Sequence, residues 1–151
     1  MLALKKKGRQ DDQAIGRSKG GLTTKIHATC DALGNPTGFH LTPGQDHDLA
    51  GADALMDKIT QAEALLADKA YDADERMRKR LEEKGCISVI PPKSNRKNPS
   101  DYDKDVYKSR HLIENFFAKL KQYRAIATRY DKTSQNFLGA IYMASIVIWL
   151  N

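Results

Sequence analysis

Runs typical of strands alternate with helical patterns along most of the chain, and this order limits the fold more than any other feature. Two runs rich in β-branched residues flank DALGNP, whose Gly34, Asn35 and Pro36 favour a turn, so residues 22–43 are predicted to form a hairpin. Further strands are predicted in EALLAD (63–68) and CISVIPP (86–92). Helices are predicted after PGQDHD, in YDADERMRKRLEEKG (71–85), over about 104–123 and over 134–150. This ββ-α-β-α-β-α-α order indicates an α/β sheet covered by helices on both faces.

Charge and length narrow the class of protein. The 151 residues include 40% apolar and 29% charged residues, which predicts a soluble globular protein. The net charge of +6 favours a polyanionic partner such as nucleic acid, although many basic proteins bind none. Cys30 and Cys86 are far apart and are expected to be reduced thiols in a cytosolic protein. No secretory signal is expected, because the first residues lack an apolar core.

The two ends of the chain differ in character. Residues 1–20 are basic, with little apolar pattern and no strand candidate, and are expected to be flexible. The remaining residues, 21–151, are expected to form one domain. Their final apolar run, FLGAIYMASIVIWL, is shorter than the roughly 20 residues that span a bilayer, so it predicts a buried helix packed against a sheet.

The helix predicted around YKSRHLIENFFAKLK carries a polar stripe beside its apolar face. At about 100° per residue, Tyr107, Arg110, Glu114 and Lys121 fall within roughly 60° of arc. The apolar face groups six residues, namely Val106, Leu112, Ile113, Phe116, Phe117 and Leu120. The stripe indicates either a site beside the core or an ordinary Arg110–Glu114 ion pair of about 0.3 kcal/mol.

A second candidate carboxylate follows the strand EALLAD. Asp68 would lie at the carboxyl end of a buried strand, where open α/β sheets bind ligands, or it would only start a turn or cap a helix. Asp72 or Asp74 is expected to cap the helix that follows. Together, Asp68 and Glu114 supply the oxygen ligands that Mg²⁺ prefers.

The spacing Tyr107-x2-Arg110-x3-Glu114-x6-Lys121 resembles the signature around the third catalytic carboxylate of bacterial insertion-sequence transposases with a DDE triad. DKAYD (68–72) resembles the motif around the second carboxylate. GRSKGGLTTKIHA, LTPGQDHD and RYDKTSQNFLGAIYMASIVIWL are similar to one branch of that family. The resemblance covers nearly the whole chain from about Lys5.

The resemblance implies a ribonuclease-H-like α/β fold, dependence on Mg²⁺ or Mn²⁺, and cleavage and joining of DNA at the ends of an element. Asp68 and Glu114 match the second and third catalytic, metal-binding carboxylates. Arg110 and Lys121 would hold phosphates, and Tyr107 would bind the DNA backbone or orient Glu114. A bacterial cytoplasmic location at the nucleoid, with DNA ends and target as partners and a homo-oligomer as the active form, is also implied, with no membrane partner.

The family's first catalytic aspartate has no match. It belongs to a strand just before the basic segment with which this chain begins, and Asp11, Asp12 and Asp31 are poorly placed to replace it. We therefore expect an incomplete fold without its first strand, as in a split, frameshifted or truncated gene. Such a chain would be inactive without the upstream portion of the transposase. The alternatives are a non-catalytic DNA-binding or regulatory fragment and a degenerate product that folds poorly.

Basic residues outside the stripe are candidates for DNA contacts. The loop KSNRK contains Lys93, Arg96 and Lys97, and the segment after the stripe contains Arg124 and Arg129 among tyrosines. These residues, with Arg110 and Lys121, would contact phosphates in a salt-dependent manner, or else would belong to ordinary solvated faces.

Overall fold

The structure is a computed structural model that describes residues 13–151. An antiparallel hairpin dominates its first half. Strands β1 (Gly16–Ser18), β2 (Gly21–Cys30) and β3 (Pro36–Pro43) form one sheet in the order β1-β2-β3. Ile26 lies opposite Leu41 and Ala28 lies opposite Phe39 in this sheet. The hairpin predicted over residues 22–43 is confirmed, and Gly34 adopts a φ of 86° in its turn.

Strand β1 was not anticipated from the sequence. It pairs with the start of β2, with Gly16 opposite Thr23 and Ser18 opposite Gly21. The prediction that residues 1–20 contain no strand is therefore wrong for Gly16–Ser18. Asp11 and Asp12 lie outside the described residues.

Six α-helices lie within residues 13–151. They are α1 (Asp48–Met56), α2 (Lys79–Glu83), α3 (Lys104–Tyr107), α4 (His111–Leu120), α5 (Arg124–Ala127) and α6 (Ser134–Leu150). A π-helical segment, Asp74–Arg78, leads into α2, and 3₁₀ turns cover Lys69–Tyr71 and Lys108–Arg110. The helix predicted over 104–123 is thus divided, because a 3₁₀ turn separates α3 from α4. The cap prediction for the helix in 71–85 is wrong, since Ala73 is the N-cap residue.

The second sheet is small and parallel. Strands β4 (Ala64–Leu66) and β5 (Ile87–Val89) pair in register, with Leu65 opposite Ser88. Within residues 13–151 this sheet shares no strand with the antiparallel sheet. The chain is mixed α/β as predicted, but its described part contains two sheets instead of one continuous sheet.

The first core lies between one face of the antiparallel sheet and helices α4 and α6. Phe39 from β3 packs near Phe116 from α4, with ring centroids 5.7 Å apart. Leu120 and Ile141 are almost completely buried beside them. The alternation of β2 and β3 explains this face, because Ile26 and its cross-strand neighbour both point towards the helices.

The second core lies around α1 and α2. Ala52 and Met56 from α1 pack with Met77, Leu81 and other apolar residues that follow β4. The opposite side of α1 touches β2 so closely that a Cβ atom on Gly51 would lie 2.1 Å from the ring of His27. Helix α1 therefore joins the antiparallel hairpin to the second core.

Helix α6 has one buried side and one exposed side. Phe137, Ile141 and Ala144 are buried, whereas Met143 and Trp149 are 67% and 64% exposed. The prediction of a buried helix against a sheet is confirmed only for the side that contacts β3 and α4. No helix within residues 13–151 is long and apolar enough to cross a bilayer.

Truncating Leu120 to alanine is expected to lower the free energy of unfolding by about 3 kcal/mol, because the change leaves a cavity in the first core. Leu150→Ala is the matched control, since the same change at a side chain that is 78% exposed should cost well under 1 kcal/mol. Urea denaturation of both variants measures the difference. Equal losses in the two variants would contradict the described packing of α4.

Candidate functional site

Asp68 follows the carboxyl end of β4, as the sequence predicted. It is partly buried, and its Oδ1 accepts a hydrogen bond from the backbone N–H of Ala70 at 2.9 Å. Asp68 thereby caps the 3₁₀ turn Lys69–Tyr71. Oδ1 of Asp68 therefore has the turn-starting role that the sequence left open as an alternative. Its other oxygen, Oδ2, has no hydrogen-bond partner within residues 13–151.

The surroundings of Asp68 are acidic and partly buried. Burial, helped by the nearby charges of Asp48 and Asp68, raises the pKa of Tyr71 to about 12, so its hydroxyl stays protonated at neutral pH. Asp48 at the start of α1 forms an ion pair with Lys25 of β2 at 2.9 Å. Helix α1 thus brings a second carboxylate to the vicinity of the 3₁₀ turn.

The polar stripe forms a chain of contacts across α3 and α4. The guanidinium carbon of Arg110 lies 5.6 Å from the centre of the Tyr107 ring, a cation–π distance. Arg110 also pairs with the carboxylate of Glu114, whose side chain is 57% exposed. Lys121 follows the last residue of α4 and is exposed. Val106, assigned to the apolar face from the sequence, is 41% exposed, because it belongs to α3 and not to the packed α4.

The two candidate metal ligands lie on separate elements. Asp68 belongs to the turn after β4, and Glu114 lies in α4. Within residues 13–151, no hydrogen bond or ion pair connects the side chains of these two residues. The same part of the chain contains no group of three His, Cys, Asp or Glu side chains that could hold a metal ion. Asp31, considered as a first carboxylate, is engaged in the hairpin turn, where it accepts from the N–H groups of Leu33 and Asn35 at 2.9 Å each.

A buried carboxylate that the sequence did not single out as a site residue lies four positions after Asp68. The side chain of Asp72 is fully buried and pairs with Arg78 at 2.9 Å and Arg96 at 2.5 Å. It also accepts the backbone N–H of Lys93 at 2.8 Å. Asp72 therefore links the segment DKAYD, the π-helical segment and the loop KSNRK.

Opposing effects act on the charge of Asp72. Burial raises its pKa, but the hydrogen bonds from Lys93, Arg78 and Arg96 outweigh burial, and the net pKa lies below the ordinary value for an aspartate. The carboxylate is consequently ionised at neutral pH. Arg96 also contacts Asp74, with Nη2 at 2.7 Å from Oδ1, so its guanidinium lies between two carboxylates.

The basic cluster RMRKR (76–80) is neutralised by acidic side chains of the chain itself. Arg80 pairs with Asp53 at 3.0 Å and Asp57 at 2.9 Å, and Arg76 also pairs with Asp53. These contacts attach the cluster to α1 and the residue that follows it, so they have a structural role.

The candidates for DNA contacts fall into two groups, and the first group, Arg96, Arg110 and Arg129, already pairs with other residues of the chain. Arg129 donates to Thr24 and to the carbonyl of Ala14, and its guanidinium carbon lies 4.8 Å from the centre of the Phe137 ring. It thus anchors the segment after α5 to the hairpin. The other group has side chains without a hydrogen bond or ion pair within residues 13–151, namely Lys93, Lys97, Lys121 and Arg124.

Three features in and around the site were not found from the sequence. Asp72 was considered only as a helix cap, although an acidic residue directly after Tyr71 in a basic region was a signal of an internal ion pair. Lys25 and Asp48 are separated by 23 positions, and only folding shows that they meet. The buried His27–Thr42 contact at 2.8 Å belongs to the same sheet face and was also missed.

Comparisons with known proteins agree with the motifs. Residues 4–150 match the family model described as transposase DDE domain. The chain is 39% identical over 132 residues to a protein from Brucella ovis described as a putative transposase for insertion sequence element IS6501. The matched region covers 85% of this chain and 99% of that protein. No solved structure matches the chain.

Lowering the pH is expected to reduce the contribution of Asp72 to stability. Because its folded pKa is depressed, this contribution is present above the ordinary aspartate pKa of about 3.9 and is lost as the pH falls through the lower folded value. Asp72→Asn should therefore lower the free energy of unfolding by on the order of 3 kcal/mol at pH 7, and by about 1 kcal/mol less at pH 3, where the aspartate of the unfolded wild type is mostly protonated. Denaturation series at several pH values measure this gap.

Asp105→Asn is the control for this series, because Asp105 is 90% exposed in its side chain and pairs only with Lys108. It should follow the wild type at every pH. A gap between wild type and Asp72→Asn that stays the same from pH 7 to pH 3 would contradict the assignment of an ionised buried carboxylate.

Proposed function

Since the chain belongs to the family of transposase DDE domains, we propose that it is the C-terminal catalytic portion of an insertion-sequence transposase, which cleaves and joins DNA at the ends of its element. The observation that carries the proposal is the family match over residues 4–150, which includes both candidate carboxylates. The reaction class is Mg²⁺-dependent phosphoryl transfer. The proposed fold is ribonuclease-H-like.

Asp68 and Glu114 are proposed as two ligands of divalent metal. Their carboxylate oxygens are the donors that Mg²⁺ or Mn²⁺ prefers, and bound Mg²⁺ would stabilise the oxygens of the displaced phosphate. Supporting this role, one oxygen of Asp68 has no hydrogen-bond partner among residues 13–151, and Glu114 is more than half exposed. Because the described residues contain no group of three such ligands, they do not by themselves complete a metal site.

Arg110, Tyr107 and Lys121 are proposed to act on Glu114 and on DNA. Arg110 neutralises Glu114 in this structure, and the Tyr107 ring supports the guanidinium from one face. Binding of DNA phosphate would offer Arg110 an alternative anion and so release Glu114 for another ligand. Lys121 lies seven residues after Glu114, on the same side of the helix, and its ammonium group is available for a phosphate.

The missing ligand is proposed to come from the upstream portion of the transposase. The two sheets support this idea, because β1 pairs only with residues 21–23 of β2 and β4 pairs only with β5 within residues 13–151. A strand inserted between β2 and β4 would join them into one sheet and place a further carboxylate near Asp68. This arrangement would give the open sheet that the order of elements predicts.

Adding a separately produced upstream portion is expected to give Mg²⁺-dependent cleavage of element-end DNA. Asp68→Asn and Glu114→Gln should each lower that cleavage at least a hundredfold, because each removes a charged oxygen ligand while keeping the side-chain size. Strand cleavage of a labelled duplex carrying the element end is the measurement. The chain alone is expected to show none.

Glu75→Gln serves as the control, since Glu75 is exposed and pairs only with Lys79. It should cleave at the wild-type rate. Cleavage by the chain alone that disappears in Glu114→Gln would contradict the need for an upstream portion, and full activity in both active-site variants would contradict the proposed ligands.

A non-catalytic DNA-binding or regulatory role is the second candidate. The observations that favour it are the closed Arg110–Glu114 pair and the absence of a group of three metal ligands in the described part of the chain. The cleavage experiment separates the two functions, because a binding fragment would associate with DNA but would not complement the upstream portion.

Duplex binding by the chain is expected to weaken with salt, in keeping with its net charge of +6. Lys121→Ala should reduce the slope of log K against log salt by about 0.9, the effect of losing one phosphate contact. Lys79→Ala is the matched control, because it removes an exposed lysine that already pairs with Glu75 at 3.2 Å, and it should change the slope little. Equal changes in both variants would show that only net charge matters.

A further inference from the structure

The loop between β5 and α3 is attached to the rest of the chain through its basic segment, residues 93–97. The backbone N–H of Lys93 donates to Oδ2 of Asp72 at 2.8 Å, and Nε of Arg96 donates to the same oxygen at 2.5 Å. Asp72 is 3% exposed, so both contacts form at a buried carboxylate. Residues 93–97 therefore have a defined position although most of their side chains face solvent.

Asp72 belongs to the same turn as Asp68. The 3₁₀ turn between them is closed by two backbone hydrogen bonds, from the N–H of Tyr71 to the carbonyl of Asp68 at 2.9 Å and from the N–H of Asp72 to the carbonyl of Lys69 at 3.1 Å. Asp68 caps this turn with its side chain. The contacts that hold Asp72 in place consequently fix the position of the loop 93–97 relative to Asp68.

The guanidinium of Arg96 is already occupied. Its Nε donates to Asp72, while Nη1 and Nη2 donate to the two oxygens of Asp74 at 3.0 Å and 2.7 Å. The ammonium groups of Lys93 and Lys97, on either side of it in the sequence, have no acceptor within residues 13–151. Arg96 is therefore the least available of the loop's cations for a DNA phosphate.

We propose that Arg96 is a positioning residue that clamps the loop 93–97 to the turn Asp68–Asp72, so that Lys93 and Lys97 contact the DNA backbone at a fixed distance from Asp68. This inference rests on the proposed function for its DNA contacts and on the described hydrogen bonds for the clamp. It reverses the sequence-based interpretation of Arg96 as a direct DNA contact. It also gives Asp72 a function beyond stability, namely to connect a candidate metal ligand with the DNA-binding loop.

Only an arginine fits this clamp. The guanidinium reaches Asp72 through Nε and Asp74 through both terminal nitrogens, a planar arrangement that a lysine ammonium cannot reproduce. A lysine at this position would keep the positive charge and lose the clamp. The substitution Arg96→Lys therefore separates positioning from charge.

Amide hydrogen exchange of the chain without DNA tests the clamp directly. In Arg96→Lys, the amide of Lys93 is expected to exchange at least tenfold faster than in the wild type. Arg78 still holds Asp72, but the loop has lost the guanidinium contacts that keep the Lys93 amide on this carboxylate. Arg80→Lys is the matched control, since Arg80 also bridges two aspartates, Asp53 and Asp57, but lies away from the loop. It should leave the exchange of Lys93 unchanged. Unchanged exchange of Lys93 in Arg96→Lys would overturn the clamp.

Binding of a fluorescent duplex at fixed salt tests the consequence for DNA. Arg96→Lys should bind at least fivefold more weakly than wild type although the charge is the same, because the loop must now be ordered on binding. Lys97→Ala should reduce the salt slope by about 0.9, and Arg80→Lys should bind like wild type. If the Lys93 amide exchanges faster in Arg96→Lys but the affinity for the duplex is unchanged, the positioning role is overturned. Weaker binding with a protected Lys93 amide would identify Arg96 as a direct contact and overturn it as well.

Failure of the proposed function gives a different result. If the wild-type chain binds no duplex at any salt concentration, the assignment to DNA fails. The exchange of Lys93 in Arg96→Lys against Arg80→Lys still decides whether Arg96 clamps the loop to Asp72.

Discussion

The buried carboxylate of Asp72 fixes the arrangement of three segments: the turn Asp68–Asp72, the π-helical segment and the loop 93–97. It is ionised in a site without solvent, where a charge is tolerated only when it is paired and hydrogen-bonded. Two segments supply those partners, the π-helical segment through Arg78 and the loop 93–97 through Arg96 and the backbone of Lys93. Each segment is therefore fixed relative to the turn that Asp68 begins. The position of a candidate catalytic residue thus depends on an ion-pair network and not on hydrophobic packing alone.

Helix α1 connects this network to the antiparallel hairpin. Gly51 lets the helix approach His27 on one side, and Met56 enters the second core on the other. The two sheets nevertheless remain separate within residues 13–151, so their relative position depends on side-chain packing and not on a shared strand.

Local features of the structure were predictable because they depend on neighbouring residues. The β2–β3 hairpin follows from alternating residues around Gly34, and the buried face of α4 follows from helical spacing. The 3₁₀ turn between α3 and α4 and the short strand β1 were not predicted, since both depend on where the neighbouring segments pack. The order of strands and helices indicated a mixed α/β class, but it could not show that β2 and β4 belong to different sheets.

The sequence by itself determined the residue types and spacings of the candidate site: an acid after β4, the Tyr107-Arg110-Glu114-Lys121 stripe and an excess of positive charge. These features are local, and their chemistry does not depend on distant contacts. Only the tertiary structure decided which charges remain available to a ligand. Arg96 and Arg129 look like DNA contacts in the sequence, yet they pair with groups 22 and 105 positions away along the chain. Within residues 13–151 no acidic side chain pairs with Lys93 or Lys97, and that outcome depends on long-range contacts that local spacing does not encode.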